Sequence, residues 1–187
     1  KGPRLYRQTA GGTFKDLTHA AGLESPAYGM GIALGDIDND GDLDVYLTHL
    51  GRDQLYRNNG DGTFTDLTPT AGIVADAWSS SAAFCDIDAE GLLDLYVASY
   101  VRSDDTQRCS TEGGAQDYCP PNVYPGVADR LFRNLGDGVF EDVGESSGIG
   151  AGRSPALGVV CHDFNSDDRP DVFVANDGAA NHLWINQ

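Results

Sequence analysis

No stretch of this sequence stays apolar for the 18 or more residues of a helical membrane span, so membrane insertion is not expected. Basic residues are equally scarce. Against 29 Asp and Glu stand 12 Lys and Arg, a formal charge of −17, and no basic patch gathers anywhere along the chain. Nucleic acid and anionic membrane surfaces are thereby excluded as partners, because both are recognised through clustered positive charge. Catalytic signatures are missing too: there is no Gly-x-Ser-x-Gly, no His-Glu-x-x-His and no phosphate-binding loop, and His19, His49, His162 and His182 fall at unrelated places. With no nucleophile, base and orienting group in sight, no enzyme is expected. The sequon N-x-[ST] does not occur, so neither is N-glycosylation.

What is abundant is aspartate in one arrangement. Three nonapeptides share a register: Asp36-Ile-Asp38-Asn-Asp40-Gly41-Asp-Leu-Asp44, Asp86-Ile-Asp88-Ala-Glu90-Gly91-Leu-Leu-Asp94 and Asp163-Phe-Asn165-Ser-Asp167-Asp168-Arg-Pro-Asp171. Oxygen-bearing side chains at positions 1, 3, 5 and 9 converge on one cation when the chain wraps round it, and position 6 then needs a residue that tolerates positive φ. An EF-hand would close with Glu at position 12 between two helices. Here position 12 is Leu47, Val97 or Val174, and each loop runs into a short apolar, β-branched segment that reads as a buried strand. A single Asp/Asn/Gly cluster is usually a solvated turn. Recurrence in register argues for metal loops between strands.

A longer repeat surrounds the loops. Leu5-Tyr6-Arg7-Gln8, Gly12-Thr13-Phe14-Lys15-Asp16-Leu17 and Ala21-Gly22-Leu23 return fifty residues later from Leu55, again from Leu131, and begin a fourth time at Leu183. The first and second metal loops are 50 residues apart and the second and third 77, so about 26 extra residues lie between Tyr100 and Asp129. Each unit reads as four strands. Strand A (29–37 in the first full unit) places small residues on one parity (Gly29, Gly31, Ala33) and large ones on the other (Met30, Ile32, Leu34), the pattern of a strand packed on both faces with one face pressed close to a neighbour. Strand B follows the loop, strand C is Leu-Tyr-Arg-Asn and strand D is Thr-Phe-x-Asp-Leu. C and D are joined by Asn59-Gly60-Asp61-Gly62 or Leu135-Gly136-Asp137-Gly138, hairpin turns whose aspartates are read as turn formers.

Four antiparallel strands per unit of about fifty residues is the arithmetic of a β-propeller blade, so the fold class expected is all-β with propeller-type blades. The combination of strand, Asp-x-Asp-x-Asp-Gly-x-x-Asp, strand, Leu-Tyr-Arg-Asn and Gly-Asp-Gly-x-Phe-x-Asp resembles the FG-GAP or VCBS repeats of integrin-α-type propellers. The Cys-x9-Cys-Pro-Pro-x-x-Tyr-Pro-Gly segment resembles that of bacterial relatives of cartilage acidic protein. The resemblance implies about three Ca²⁺ ions. Their side-chain ligands would be Asp36, Asp38, Asp40 and Asp44, then Asp86, Asp88, Glu90 and Asp94, then Asp163, Asn165, Asp167 and Asp171; the backbone carbonyls of Asp42, Leu92 and Arg169 would complete the sets. Glu90, Asn165 and Asp168 depart from the pattern and lower the affinities expected of sites two and three.

The domain expected is a single one over 1–187, divided into a partial blade 1–28, a blade 29–78, a blade 79–155 carrying the insert 101–128, and a partial blade 156–187. Thirteen strands make a little over three blades, fewer than a closed ring needs. The chain is thus expected to be either a piece of a longer polypeptide or a subunit whose open edges meet copies of itself head to tail. Cys109 and Cys119, in the polar insert, are expected to form a disulfide. Cys85 and Cys161, on opposite faces of equivalent strands, read as separate buried thiols. The function expected is an extracellular or cell-surface, secreted calcium-binding module for a protein or glycan ligand, with the insert as contact surface.

Overall fold

The computed structural model describes residues 2–75, 77–102 and 106–187. Strands β1 (Tyr6–Gln8) and β2 (Phe14–Asp16) form a hairpin that leads into one turn of helix, α1 (Thr18–Ala21). Next come β3 (Tyr28–Gly35), β4 (Asp44–Leu50), β5 (Gln54–Asn58) and β6 (Phe64–Asp66), paired in that order as a four-stranded antiparallel sheet. The second full sheet comprises β7 (Ser79–Cys85) and β8 (Asp94–Ser99), then, after the small hairpin of β9 (Cys109–Ser110) and β10 (Gln116–Asp117), β11 (Arg130–Asn134) and β12 (Phe140–Asp142). A three-stranded sheet of β13 (Ala156–His162), β14 (Asp171–Asn176) and β15 (His182–Trp184) completes the order. The all-β, propeller-like class and the four-strand unit are as expected. Strand A ends at Gly35 rather than Ile37, because Asp36 and Ile37 already belong to the metal loop.

Repetition extends to fine register. Gly35 pairs with Asp44, Cys85 with Asp94 and His162 with Asp171, so each loop is closed by the same cross-strand pair. A register shift falls between Gly29 and Gly31, Ser79 and Ser81, and Ala156 and Gly158, again at equivalent positions. The insert leaves and rejoins its blade at a bridge between Val101 and Gly126; its residues 103–105 lie outside the described residues.

Successive blades pack front to rear. The rear face of the first blade offers Ala33, Tyr46 and Leu55; the front face of the second offers Ala82, Leu95, Val97, Phe132 and Phe140. The next junction sets Tyr96, Ala98 and Leu131 against Val172, Val174 and Trp184. Each fully buried aromatic or aliphatic side chain here contributes roughly 1.5–3 kcal/mol. The close neighbour that strand A's small parity implied is the inner strand of the next blade: a Cβ on Gly31 would lie 2.8 Å from the Ser80 carbonyl oxygen, and one on Gly35 would lie 2.9 Å from the Phe84 ring.

The large parity departs from expectation in the first blade. Residues 5–23 cover its outer strands through Leu5, Ala21 and Leu23, which pack on Val45, Leu47 and Tyr56. The inner row is bare, with Ile32 62% and Leu34 54% exposed, whereas Ala82, the counterpart of Ile32 in the second blade, is 9% exposed. Packing on both faces therefore holds for β7, which has a blade on each side, and not for β3.

The cysteines require a correction. Cys85 and Cys161 are bonded to each other, with their Cα atoms 6.4 Å apart, and Cys109 is bonded to Cys119 as expected. Lying on opposite faces of equivalent strands, the first pair read as two isolated thiols. In a stack of blades, however, the rear face of one strand A meets the front face of the next. Opposite faces are then the arrangement that a cross-blade disulfide requires.

Candidate functional site

The three aspartate loops share one internal wiring. The position-1 carboxylate caps the turn: Asp36 accepts the N–H of Asp40 and Gly41, Asp86 those of Glu90 and Gly91, and Asp163 those of Ser166, Asp167 and Asp168. Position 9 is held from two sides. Asp44 Oδ2 accepts Ile37 N–H at 2.9 Å and its Oδ1 accepts Asn58 N–H at 2.8 Å. Asp94 takes Ile87 and Asn134 in the same way, and Asp171 takes Phe164 and Asn186. All three position-9 residues are buried. Burial raises the pKa of Asp44 and Asp94, and the facing loop carboxylates (Asp38 and Asp40, or Asp88 and Asp86) push in the same direction against their backbone hydrogen bonds.

Left-handed backbone appears twice per loop. At position 6 the φ values are 93° for Gly41, 90° for Gly91 and 65° for Asp168, so the aspartate adopts the conformation that glycine supplies elsewhere. Position 4 is left-handed as well: Asn39 at 58°, Ala89 at 59° and Ser166 at 64°. Asn suits that region, but nothing in Ala89 announces it.

Convergence differs between loops. Ligand atoms of Asp36, Asp38 and Asp40 lie within 4.8 Å of one another, as do those of Asp86, Asp88 and Asp94. Asp38 Oδ1 is buried without a hydrogen-bond partner. Asp44 stands outside the first trio and Glu90 outside the second. In the third loop, among the described residues, no three acids gather; Asn165 donates from Nδ2 to Asp167 Oδ2 at 2.9 Å. Of the position-7 residues, Asp42 directs its carboxylate at the C–D turn, where a Cβ on Gly60 would lie 2.7 Å from Asp42 Oδ2. Leu92 lies by the equivalent Gly136, and Arg169 N–H donates to Asp167 Oδ1. The turn aspartate Asp61 accepts Thr63 N–H at 2.9 Å, the work of a turn former.

Hard oxygen donors with neither His nor Cys among them suit Ca²⁺ or Mg²⁺ and not zinc. The trios and the orphaned Asp38 oxygen fit such an ion. Bound there, it would neutralise carboxylates that otherwise repel one another, and Asp36, Asp38 and Asp40, or Asp86, Asp88 and Asp94, would hold it.

Two sets of residues went unforeseen. Tyr46 Oη donates to buried Asp53 at 2.9 Å, and Asp53 also accepts His49 N–H; Tyr96 and Asp129 repeat the pair with Ser99 N–H. Burial raises Asp53 to about 7 and Asp129 to about 6. The signal was an acid two residues before Leu55 and Leu131. Asn134, the last residue of β11, and Asn186, two residues beyond β15, reach into the preceding blade, where their Nδ2 groups donate to the carbonyls of Ile37 and Ile87 at 2.8 and 2.7 Å.

Comparison with known proteins agrees with this architecture. No curated protein matches the chain. The sequence does match the FG-GAP-like repeat over residues 1–47 and again over 45–97, and each match takes in strands C, D and A and a metal loop and ends in the following strand B. The two matches together cover just over half of the 187 residues, in the phase that the sheets repeat; the chain belongs to the FG-GAP-like repeat family.

Proposed function

We propose that the chain is a calcium-binding, integrin-like repeat module that works outside the cell and presents a propeller surface to a protein or glycan. The observation that carries the calcium reading is the Asp36, Asp38, Asp40 trio, whose oxygens lie within 4.8 Å of one another with Asp38 Oδ1 buried and unpaired. Extracellular calcium modules bind at roughly 10⁻⁴ to 10⁻³ M, concentrations met outside cells. Two disulfides agree with an oxidising compartment. The contact surface is the insert: its hairpin is pinned by Cys109 and Cys119, and Tyr118 at its edge is 97% exposed.

Thermal unfolding in calcium and in chelator tests the metal. With three sites filled to about tenfold over Kd, chelation lowers the midpoint by roughly 10 °C. An unchanged midpoint would overturn the reading.

One observation favours a second reading, head-to-tail assembly. The inner row of β3 is bare, and so is the rear of β13, where a Cβ on Gly158 would meet nothing within 4 Å. A monodisperse monomer in solution at micromolar concentration sinks this assembly.

A further inference from the structure

The metal loops of successive blades are wired to one another. Asn58 N–H donates to Asp44; Asp44 accepts Ile37 N–H; Ile37 O accepts from Asn134, whose own N–H donates to Asp94. Asp94 in turn accepts Ile87 N–H, Ile87 O accepts from Asn186, and Asn186 N–H donates to Asp171. Hydrogen bonds, linked through the residues Ile37, Asn134, Ile87 and Asn186, thus join position 9 of all three loops. They cross each blade junction at an asparagine side chain.

Asn134 is suited to that crossing. It is 4% exposed, donates from Nδ2 to both Ile37 O (2.8 Å) and Leu93 O (3.1 Å), and accepts Gly136 N–H on Oδ1 (2.9 Å). Both Nδ2 hydrogens are committed inside a buried site, so the peptide of Ile37 must stay where Nδ2 expects it. Ile37 lies between ligand positions 1 and 3. Drawing Asp36 and Asp38 onto an ion fixes that peptide; leaving the loop empty frees it and strands a buried donor. A second, direct contact reinforces this junction, with Asn39 Nδ2 donating to Gly91 O, position 6 of the next loop, at 2.9 Å. Its counterpart Ala89 has no such group.

We propose that the calcium loops form one coupled array, in which filling a loop raises the affinity of its neighbour, and that Asn134 and Asn186 are the positioning residues that transmit the effect. The proposal rests on the calcium reading above. Coupling of this kind is reciprocal and amounts to about 5-fold or more in affinity.

Calorimetric titration of chelator-stripped protein measures it. Asp163→Asn/Asp167→Asn silences the third loop. In that background, loops one and two are titrated together, then singly after Asp38→Asn/Asp40→Asn or Asp86→Asn/Asp88→Asn. The result expected is that each loop binds about 5-fold or more tightly when the other is intact, by the same factor in both directions, and that Asn134→Ala, combined with Asn39→Gly to remove the direct contact, returns the factor to one. Reciprocity holds for any coupling, so each variant is shown folded at the titration temperature by circular dichroism, which separates the coupling from a loss of general stability. Should Asn134→Ala fail to fold, Asn186→Ala measured on loops two and three takes its place. Equal affinities in pair and single titrations overturn the coupling and leave the calcium reading standing; no calcium heat in the unsubstituted protein overturns both.

Discussion

The two blade junctions solve the same problem by different means. Between the first and second blades the backbones approach so closely that Gly31 and Gly35 have no room for a Cβ, and the loops touch through Asn39 and Gly91. Between the second and third, where Ser81 and Cys85 stand in the places of Gly31 and Gly35, covalent and polar ties are added: the Cys85–Cys161 bond, Ser80 Oγ donating to Ala156 O, and Tyr100 Oη donating to Asp177. A stack of repeats is stabilised largely by neighbour interfaces. Packing and cross-linking are thus interchangeable ways to secure one. Each should fail to its own perturbation.

The largest effect is expected at the covalent junction. Cys85 and Cys161 are 76 residues apart, and a cross-link of that span stabilises by roughly 4 kcal/mol in the chain-entropy account. Cys85→Ser/Cys161→Ser should lower the denaturant midpoint accordingly, and reduction of the unsubstituted protein, which also opens Cys109–Cys119, should lower it by at least as much. A change under about 1 kcal/mol would show that packing alone secures this junction.

The packed junction answers to volume. Gly31→Ala drives a methyl against the Ser80 carbonyl, a backbone atom that cannot swing aside, at a cost of about 3 kcal/mol. Gly158 occupies the same place on the third blade, where the rear face is uncovered, and Gly158→Ala should cost less than about 0.5 kcal/mol. Equal losses would refute the idea that the neighbouring blade, and not the strand itself, demands glycine.

Covered and uncovered rear faces also differ in their buried acids. Tyr46 with Asp53 and Tyr96 with Asp129 lie at the two junctions, while the open rear of the third blade carries Phe173 and Asn181 at the same places. Asp53, at about 7 when folded against an ordinary 3.8, is held protonated by burial. Its contribution to stability is complete below about pH 4 and is lost as the pH rises through 7, where the fold must bury a charge. Asp53→Asn should therefore gain on the order of 2 kcal/mol at pH 8 relative to the unsubstituted protein and nothing at pH 4, read from urea midpoints in chelator. A pH-independent difference would sink this assignment.

How much of this the sequence carried depended on distance along the chain. Loop positions, strand order and hairpin turns follow from residues a few places apart, so Asp36, Gly41 and Asn59-Gly60 were readable directly. Strand A's alternation of small and large residues even disclosed a close neighbour. What remained hidden joins one repeat to another: the Cys85–Cys161 bond, Asn134 meeting Ile37, and which rear faces are covered. Periodicity fixes each unit against itself, but contacts between units need their offset in space. Tyr46 and Asp53 stayed hidden for a related reason, since an aspartate next to loops full of aspartates carries no contrast.

The finest difference between the junctions lies at loop position 4. Asn39, at φ 58°, accepts a left-handed backbone at little cost and reaches the next loop; Ala89, at φ 59°, carries a methyl group disfavoured there and has no side-chain donor. Relieving that backbone alone is worth about 1 kcal/mol, which Ala89→Gly should recover in part, because the freer unfolded chain offsets some of it. Ala89→Asn restores both backbone and donor, opposite Asp168, the counterpart of Gly91. It should exceed Ala89→Gly by a few tenths of a kcal/mol in thermal denaturation, because a partly solvated hydrogen bond adds little more. If glycine and asparagine stabilise equally, Asn39 serves the first junction through its backbone, and the contact with Gly91 is incidental to stability.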